Sequence, residues 1–178
     1  MIGPGRNRRN AHRIDDQASA VIDVLGPTVQ FLTFPGEGHA MPCIMRGTIP
    51  PGVAIPLHSH PDPETFLVIA GEVEGLAQTE GGFQWLRLGP GDVFHVPSRA
   101  KHAFRNHWPR PAVMIAVTTA RLGGFFLEVG TPISPGSEPS QPSPETLRRF
   151  LETAARYGHW IATPEENMRV GIDLPPAR

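Results

Sequence analysis

Glycine and proline interrupt this chain so often that little of it can form long helices. The 178 residues include 19 glycines and 21 prolines, and neither residue is well tolerated inside a helix. Between residues 29 and 119 they separate short apolar segments, with turn signals every ten or so positions, as is typical of sandwiches and barrels. A helical bundle is therefore disfavoured, and an all-β domain is predicted.

Nine segments of this region are predicted to be β-strands. They are Val29–Phe34, Cys43–Ile49, Val53–His60, Glu64–Ala70, Glu72–Gln78, Phe83–Leu88, Asp92–Val96, His102–Asn106 and Ala112–Thr119. Several of them carry apolar residues on both faces, and such a strand needs a cover on its outer side. The cover is expected from the terminal helices or from a second subunit, and the expected assembly is a homodimer.

The residues on either side of this region predict other structures. Apolar residues from Ala18 to Leu25 fall at helical spacing and Gly26 follows as a stop signal, which predicts a short helix over residues 15–25. A stretch rich in Pro, Ser and Gly over residues 131–143 predicts an extended arm.

Two further helices are predicted after that arm. Ser143 can cap the first of them, Pro144 fits its first turn, and Gly158 ends it. Thr163 and Glu166 have capping-box spacing and predict the start of the second. We expect three regions: a basic arm with a short helix over 1–28, a barrel over 29–120, and a Pro-rich arm with helices that pack on the barrel over 121–178.

The charge and cysteine content argue against several classes of partner and site. Lys and Arg number 16 and Asp and Glu 17, so the basic excess typical of nucleic-acid binding is missing. The longest apolar stretch, residues 112–117, is far shorter than a membrane span. The basic start of the chain lacks the apolar core of a signal peptide, so a cytoplasmic protein is expected. Cys43 is the only cysteine, which excludes an intrachain disulfide and a cysteine-based zinc site.

Three histidines and a glutamate form the strongest candidate site. His58 and His60 are two residues apart on a predicted strand, so both imidazoles project from one face. Glu64 follows a stiff Pro-Asp-Pro turn, and His102 lies on a later strand. This donor set suits one divalent transition metal, namely Fe, Mn, Ni, Co, Cu or Zn, and leaves positions open for catalysis. The alternative is a core in which hydrogen bonds satisfy these histidines without a metal.

The glycines around these residues make the region resemble the cupin superfamily. The first cupin motif runs Gly, five residues, His-x-His, three or four residues, Glu, six residues, Gly. Its counterparts here are Gly52, His58, His60, Glu64 and Gly71, with every spacing matched.

The second cupin motif is matched with one departure. Gly91, Pro97, His102 and Asn106 stand at the motif positions, whereas Arg99 stands where the motif has a glycine. Glycine permits a positive φ there, so arginine implies a different turn or a small strain. The resemblance implies a double-stranded β-helix, or jelly-roll barrel, with His58, His60, Glu64 and His102 as metal ligands.

Residues that share a strand face with these ligands are candidates for a substrate pocket. Phe66 and Val68 follow the parity of Glu64, and Phe104 follows that of His102. Met114 is added from the last strand, whose phase the sequence does not fix. Such an apolar wall suits a flat or hydrophobic small molecule, although plain barrel core is an equal interpretation of each residue.

The segment after the barrel suggests a narrower relationship and a reaction. Residues 124–130 and the helix ending at Arg156 look like those of single-domain, quercetin dioxygenase-like cupins, although the segment is also interpreted as a mere cover that builds the dimer. The resemblance implies a metal-dependent dioxygenase acting on a small enolisable or phenolic substrate, with Glu64 as ligand and base. The alternatives are a metal-dependent isomerase, lyase or decarboxylase, and a non-enzymatic cupin that binds a small ligand.

Overall fold

Two antiparallel sheets face each other across an apolar core in this computed structural model, which describes residues 11, 13, 14, 20–33, 42–133 and 142–173. The strands are β1 (Val21–Asp23), β2 (Thr28–Phe31), β3 (Cys43–Ile49), β4 (Ala54–Ser59), β5 (Glu64–Ala70), β6 (Val73–Thr79), β7 (Gly82–Leu88), β8 (Val93–Val96), β9 (His102–Arg105), β10 (Ala112–Thr118), β11 (Thr131–Ile133) and β12 (Trp160–Ile161). The helices are α1 (Ala120–Val129), α2 (Pro144–Arg156) and α3 (Pro164–Arg169).

The strand order is that of a jelly roll. One sheet has the order β11-β1-β2-β3-β10-β5-β8, and the other has the order β12-β4-β9-β6-β7. Consecutive strands often lie in opposite sheets, so the chain crosses repeatedly between the two layers. The predicted all-β jelly-roll barrel is confirmed, with a few short helices added to it.

All nine predicted strands are present, and β3 and β5 have the predicted bounds. Their alternating side chains pack between the sheets, where the rings of Phe66 and Phe94 both meet the ring of Phe104 edge to face, at centroid distances of 4.9 and 5.4 Å. Such ring pairs stabilise a core beyond the burial of their area. The metal-binding candidates lie at one end of this packed interior.

The prediction of a short N-terminal helix is wrong for the residues that the structure describes. Residues 21–23 form β1, which pairs with β2 on one side and β11 on the other. Leu25 and Gly26 both have positive φ, 58° and 118°, and make the tight turn into β2. Val21 and Ile22 are β-branched and favour strands. The strand forms because these residues pair with β11, which is distant in sequence, so the local spacing of apolar residues does not indicate it. Residues 15–19 of the predicted helix lie outside the described residues.

The sheets also extend beyond the expected barrel limits of 29–120. Strand β11 occupies the start of the predicted Pro-rich arm, whose residues 134–141 lie outside the described residues, and β12 adds an edge to the smaller sheet. The first helix after the barrel, α1, was not predicted. Helices α2 and α3 begin as expected, because the side chains of Ser143 and Thr163 accept hydrogen bonds from the N–H groups of Thr146 and Glu166.

The C-terminal region packs against the barrel in two places. Leu122, Phe125 and Val129 of α1 bury their side chains with Ala154 of α2 in one small cluster. Ile172 packs with side chains from the outer face of the smaller sheet in another. Within the residues that the structure covers, none of the helices has the length and apolar character needed to cross a membrane.

Candidate metal centre

The pairing of β4 with β9 brings the three histidines together. His58 lies directly opposite His102 in this register, and His60 lies two residues further along the chain. The ring centroids are 4.2 Å apart for His58 and His102, 5.1 Å for His60 and His102, and 5.6 Å for His58 and His60. One ring nitrogen from each histidine lies within 4.8 Å of the other two. A single ion can therefore contact all three.

Backbone carbonyls orient each of these rings. The Nδ1 atoms of His58, His60 and His102 lie 2.8, 2.7 and 3.0 Å from the carbonyl oxygens of Pro56, Asp62 and Ala100. Because a carbonyl oxygen only accepts, each Nδ1 carries the proton and donates it. In a neutral ring this tautomer leaves the Nε2 lone pair available, which is how an imidazole binds a metal through Nε2.

The protonation of two of these rings also fits a metal site. Burial, reinforced by the neighbouring His60, lowers the pKa of His58 from 6.5 to about 4. Burial and the nearby His58 hold the pKa of His102 well below its ordinary value. The Nε2 atom of His102 is buried without a hydrogen-bond partner. A buried lone pair on a neutral ring is an acceptor that a cation would satisfy, so these residues fit a divalent transition metal.

Glu64 approaches two of the three rings. Its Oε2 atom lies 3.2 Å from Nε2 of His60 and 3.9 Å from Nε2 of His102, and the residue is only 4% exposed. Burial lowers the pKa of His60, but the hydrogen bond and charge of Glu64, helped by Asp62, outweigh burial and raise it. A carboxylate beside converging nitrogens is placed either to bind a cation or to accept a proton.

The turn before His102 keeps its shape despite the missing motif glycine. Arg99 has a φ of 63°, which is the left-handed conformation that glycine adopts without cost. Its N–H donates a 2.7 Å hydrogen bond to the carbonyl of His60, which ties this turn to the strand of the first two histidines. The turn therefore has the conformation expected of glycine and not a different one, and Arg99 bears a small backbone strain of about 1–2 kcal/mol.

The four pocket candidates all face the interior. Phe66, Val68, Phe104 and Met114 are buried in the main core cluster, and the ring of Phe104 lies 6.3 Å from that of His102. The structure thus fixes the phase of β10 that the sequence left open. Their role as a substrate wall remains a prediction.

Asn106 and His95 have structural contacts away from the histidines. The amide of Asn106 donates to the carbonyls of Ile49 and Arg110 and anchors its loop. His95 is exposed on the outer face, where its Nδ1 lies 2.9 Å from the hydroxyl of Thr65. Neither residue orients a candidate ligand.

One histidine near the site was missed by sequence reasoning. His159 precedes β12, and its ring centroid lies 5.3 Å from that of His60. Burial, followed by the neighbouring His60, lowers the pKa of His159 to about 4. Almost one hundred residues separate it from His60, and its local sequence, at the end of a helix, carries no ligand spacing. Only the pairing of a two-residue strand brings it here.

Asp62 was also missed, and it fixes the turn between His60 and Glu64. Its carboxylate accepts hydrogen bonds from the hydroxyl of Thr119 at 2.5 Å and from the guanidinium of Arg121 at 2.6 Å. Both partners belong to the start of α1. This network holds the carbonyl of Asp62 in place to accept from the His60 ring.

Comparisons with known proteins agree with the fold. Residues 45–118 match the family model described as the Cupin domain. An RmlC-like cupin from Shewanella frigidimarina NCIMB 400 superposes with a TM-score of 0.51 at 20% identity, over 62% of this chain and 92% of that one. At that identity the likeness shows the fold alone.

A curated relative carries the name of an enzyme. Over 60 residues the chain is 45% identical to dimethylsulfoniopropionate lyase DddQ of Ruegeria pomeroyi. The matched residues make up 33% of this chain but only 28% of that protein. The crystal structure of DMSP lyase DddQ from R. pomeroyi DSS-3 has 35% identity and a TM-score of 0.39, with 44% of this chain and 38% of that one covered. The match thus spans much less than half of the lyase.

Proposed function

This chain belongs to the cupin superfamily, and we propose that it is a metal-dependent lyase that acts on a small organic molecule. The single observation that carries the proposal is the buried Glu64 carboxylate, 3.2 Å from Nε2 of His60, beside three convergent imidazoles. The sequence match to a lyase, limited as its coverage is, favours lyase chemistry over the oxygenase expected from the sequence.

The roles follow from the donors and their surroundings. His58, His60 and His102 would hold one divalent ion (Fe, Mn, Ni, Co, Cu or Zn) through Nε2. When bound, such an ion supplies a Lewis acid that polarises the substrate. Glu64 accepts a proton from a substrate carbon through Oε2.

The proposed elimination also accounts for the electron pairs of the bonds that break and for the exclusion of water. The broken C–H bond leaves its electron pair to form a C=C bond, and the leaving group departs with the pair of its own bond. Phe66, Val68, Phe104 and Met114 are buried in the main core cluster, and in this scheme they exclude water from the step.

The dioxygenase remains the second candidate, and one observation favours it. The aromatic rings of Phe66 and Phe104 lie on the barrel side of the histidines, and such a wall suits a flat phenolic substrate. The dioxygenase uses the same donors, but it consumes O₂, whereas a lyase turns over without it.

Substitution of Glu64 tests the proposed base. In metal-reconstituted protein assayed without O₂ on dimethylsulfoniopropionate and related organic acids, Glu64→Gln is expected to lower kcat by about 10²–10⁴-fold, because a neutral amide cannot accept the proton. Product is measured by chromatography and metal content by mass spectrometry on the same samples. Glu72→Gln, which alters an ion pair with Arg87 on the surface, is the control and should leave kcat unchanged.

The outcome of this assay separates the candidates. Turnover of a flavonol only in the presence of O₂ would favour the dioxygenase. Metal binding without turnover of either kind would favour a cupin that only binds a ligand. An undiminished anaerobic rate in Glu64→Gln would remove Glu64 as the base.

We also propose that two copies of this chain associate through the outer face of the larger sheet. Leu67, Ile69, Val93 and Val117 are exposed there on neighbouring strands, and Val93 belongs to the edge strand β8. A contiguous apolar face of this kind is buried against itself in an isologous dimer.

Light scattering after gel filtration tests this association. Wild-type protein is expected at twice the chain mass of 19.4 kDa, and Leu67→Asp at the mass of one chain, because a carboxylate would be buried unpaired in the interface. Leu151→Asp places the same charge on an exposed leucine of α2 and should leave the dimer intact. A wild-type protein that elutes as a single chain would rule out the association.

A further inference from the structure

Among the described residues, two buried side-chain nitrogens have no hydrogen-bond partner. They are Nε2 of His102 and Nε2 of His159. The candidate metal centre accounts for the first. The second does not belong to the group of three nitrogens that lie within 4.8 Å of one another, so the ion itself does not account for it. Buried polar groups are nearly always paired, so an unpaired one calls for a partner that is missing from the protein itself.

The fold holds His159 on the same face as the candidate ligands. Trp160 pairs with Ser59 and Ile161 with His58, so the antiparallel register continues to place His159 opposite His60. Side chains at directly opposite positions project to the same side of a sheet. The observed distance of 5.3 Å between the two ring centroids agrees with this register.

The ring is also held in place from behind. Gly158, with a φ of 72°, lets the chain turn back after α2, and the N–H of His159 donates to the carbonyl of Ala154 at 2.9 Å. The ring of Phe125 packs against it at a centroid distance of 4.3 Å. His159 is therefore fixed by packing and backbone bonds, while its Nε2 is left uncommitted.

The charge of a loaded site indicates what that nitrogen would bind. Histidines that ligate a metal are neutral, so a divalent ion with three of them and the Glu64 carboxylate carries one net positive charge. The nearby charges of Asp62 and Arg121 pair with each other and leave this charge uncompensated. A buried net charge is costly, and a monoanionic ligand would neutralise it.

We infer that His159 is a substrate-binding residue, whose Nε2–H donates a hydrogen bond to an oxygen of a small organic anion bound beside the metal ion. The inference rests on the proposed metal-dependent function and adds a substrate class to it. The residue comes from the C-terminal segment and not from the region that matches the Cupin domain.

Binding of acetate to cobalt-loaded protein tests this role without any assay of turnover. Acetate is the probe, and the visible absorption bands of Co²⁺ report its binding. The affinity for acetate is expected to fall about 10- to 100-fold in His159→Ala, because one hydrogen bond to a charged group is lost. The cobalt content should stay at the wild-type value.

Three further variants control for packing and for the loss of a histidine as such. His159→Phe keeps a ring against Phe125 but has no donor, so it should match His159→Ala. His159→Gln keeps an N–H donor and should recover part of the affinity. His107→Ala removes an exposed histidine that contacts Glu74, and it should bind acetate as the wild type does.

Four outcomes of these binding measurements would contradict the role of His159 or the function on which it rests. Equal acetate affinity in the wild type and His159→Phe would overturn the inference, as would a wild-type protein that binds Co²⁺ but not acetate. Loss of Co²⁺ from both His159→Phe and His159→Gln would overturn it in favour of a ligand or folding role. A wild-type protein that takes up no metal would instead overturn the proposed function on which it rests.

Discussion

Replacement of His58 and His60 together by alanine is expected to abolish metal binding. The two residues supply two of the three ring nitrogens that lie within 4.8 Å of one another. His102 and the Glu64 carboxylate would be left, and two donors do not hold a transition metal against dialysis in the way that a three- or four-donor site does. Metal content per chain, measured by mass spectrometry after dialysis, should fall from about one to near zero.

A matched pair of histidines controls for this result. His95 and His107 are exposed, and their contacts are with Thr65 and Glu74 at the surface. His95→Ala/His107→Ala removes the same number of imidazoles and should keep the wild-type metal content. If the His58→Ala/His60→Ala protein retained that content while folded, as judged by circular dichroism, the histidine cluster would not be the metal site.

Gly71→Ala is expected to destabilise the fold by about 3–5 kcal/mol. Gly71 has a φ of 71°, and a Cβ atom built on it would lie 2.1 Å from the carbonyl oxygen of Pro111. The obstacle is backbone, so no flexible side chain can move aside. The strain of the left-handed conformation would be added to this clash. Urea unfolding followed by fluorescence measures the free energy of unfolding and its change.

Gly52→Ala separates the two contributions. Gly52 has nearly the same φ, 73°, but a Cβ atom there would meet nothing within 4 Å. This variant should therefore lose only the conformational part, about 1–2 kcal/mol. Equal losses at the two glycines would contradict the close approach to Pro111 as the reason why position 71 requires glycine.

The strands and the candidate ligands were predictable because their signals are local. Glycines and prolines mark the ends of the short apolar segments that form β3 and β5, and His58, His60 and Glu64 fall within seven consecutive residues. The turn at Arg99 shows that a non-glycine residue can hold this motif position. Arg99 adopts the positive φ that a glycine takes without cost, and its N–H donates to the carbonyl of His60.

The missed features depend on contacts between distant residues. Strand β1 has apolar residues at positions that also suit a helix, and only its pairing with β2 and β11 decides between the two. Helix α1 contains Gly123 and Gly124, which argue against a helix by propensity. Gly123 is buried in the described structure, so tertiary packing outweighs its propensity.

The hydrogen bonds of Asp62 connect the helices outside the barrel to the spacing of the metal donors. Arg121 grips both the Asp62 carboxylate and the carbonyl of Tyr157, just after α2, while the carbonyl of Asp62 fixes the ring of His60. Hydrogen bonds from the start of α1, outside the sheets, thus hold the turn between His60 and Glu64 at its midpoint. A shift in the packing of α1 against α2 would therefore reach the spacing of His60 and Glu64 through the hydrogen bonds of Asp62.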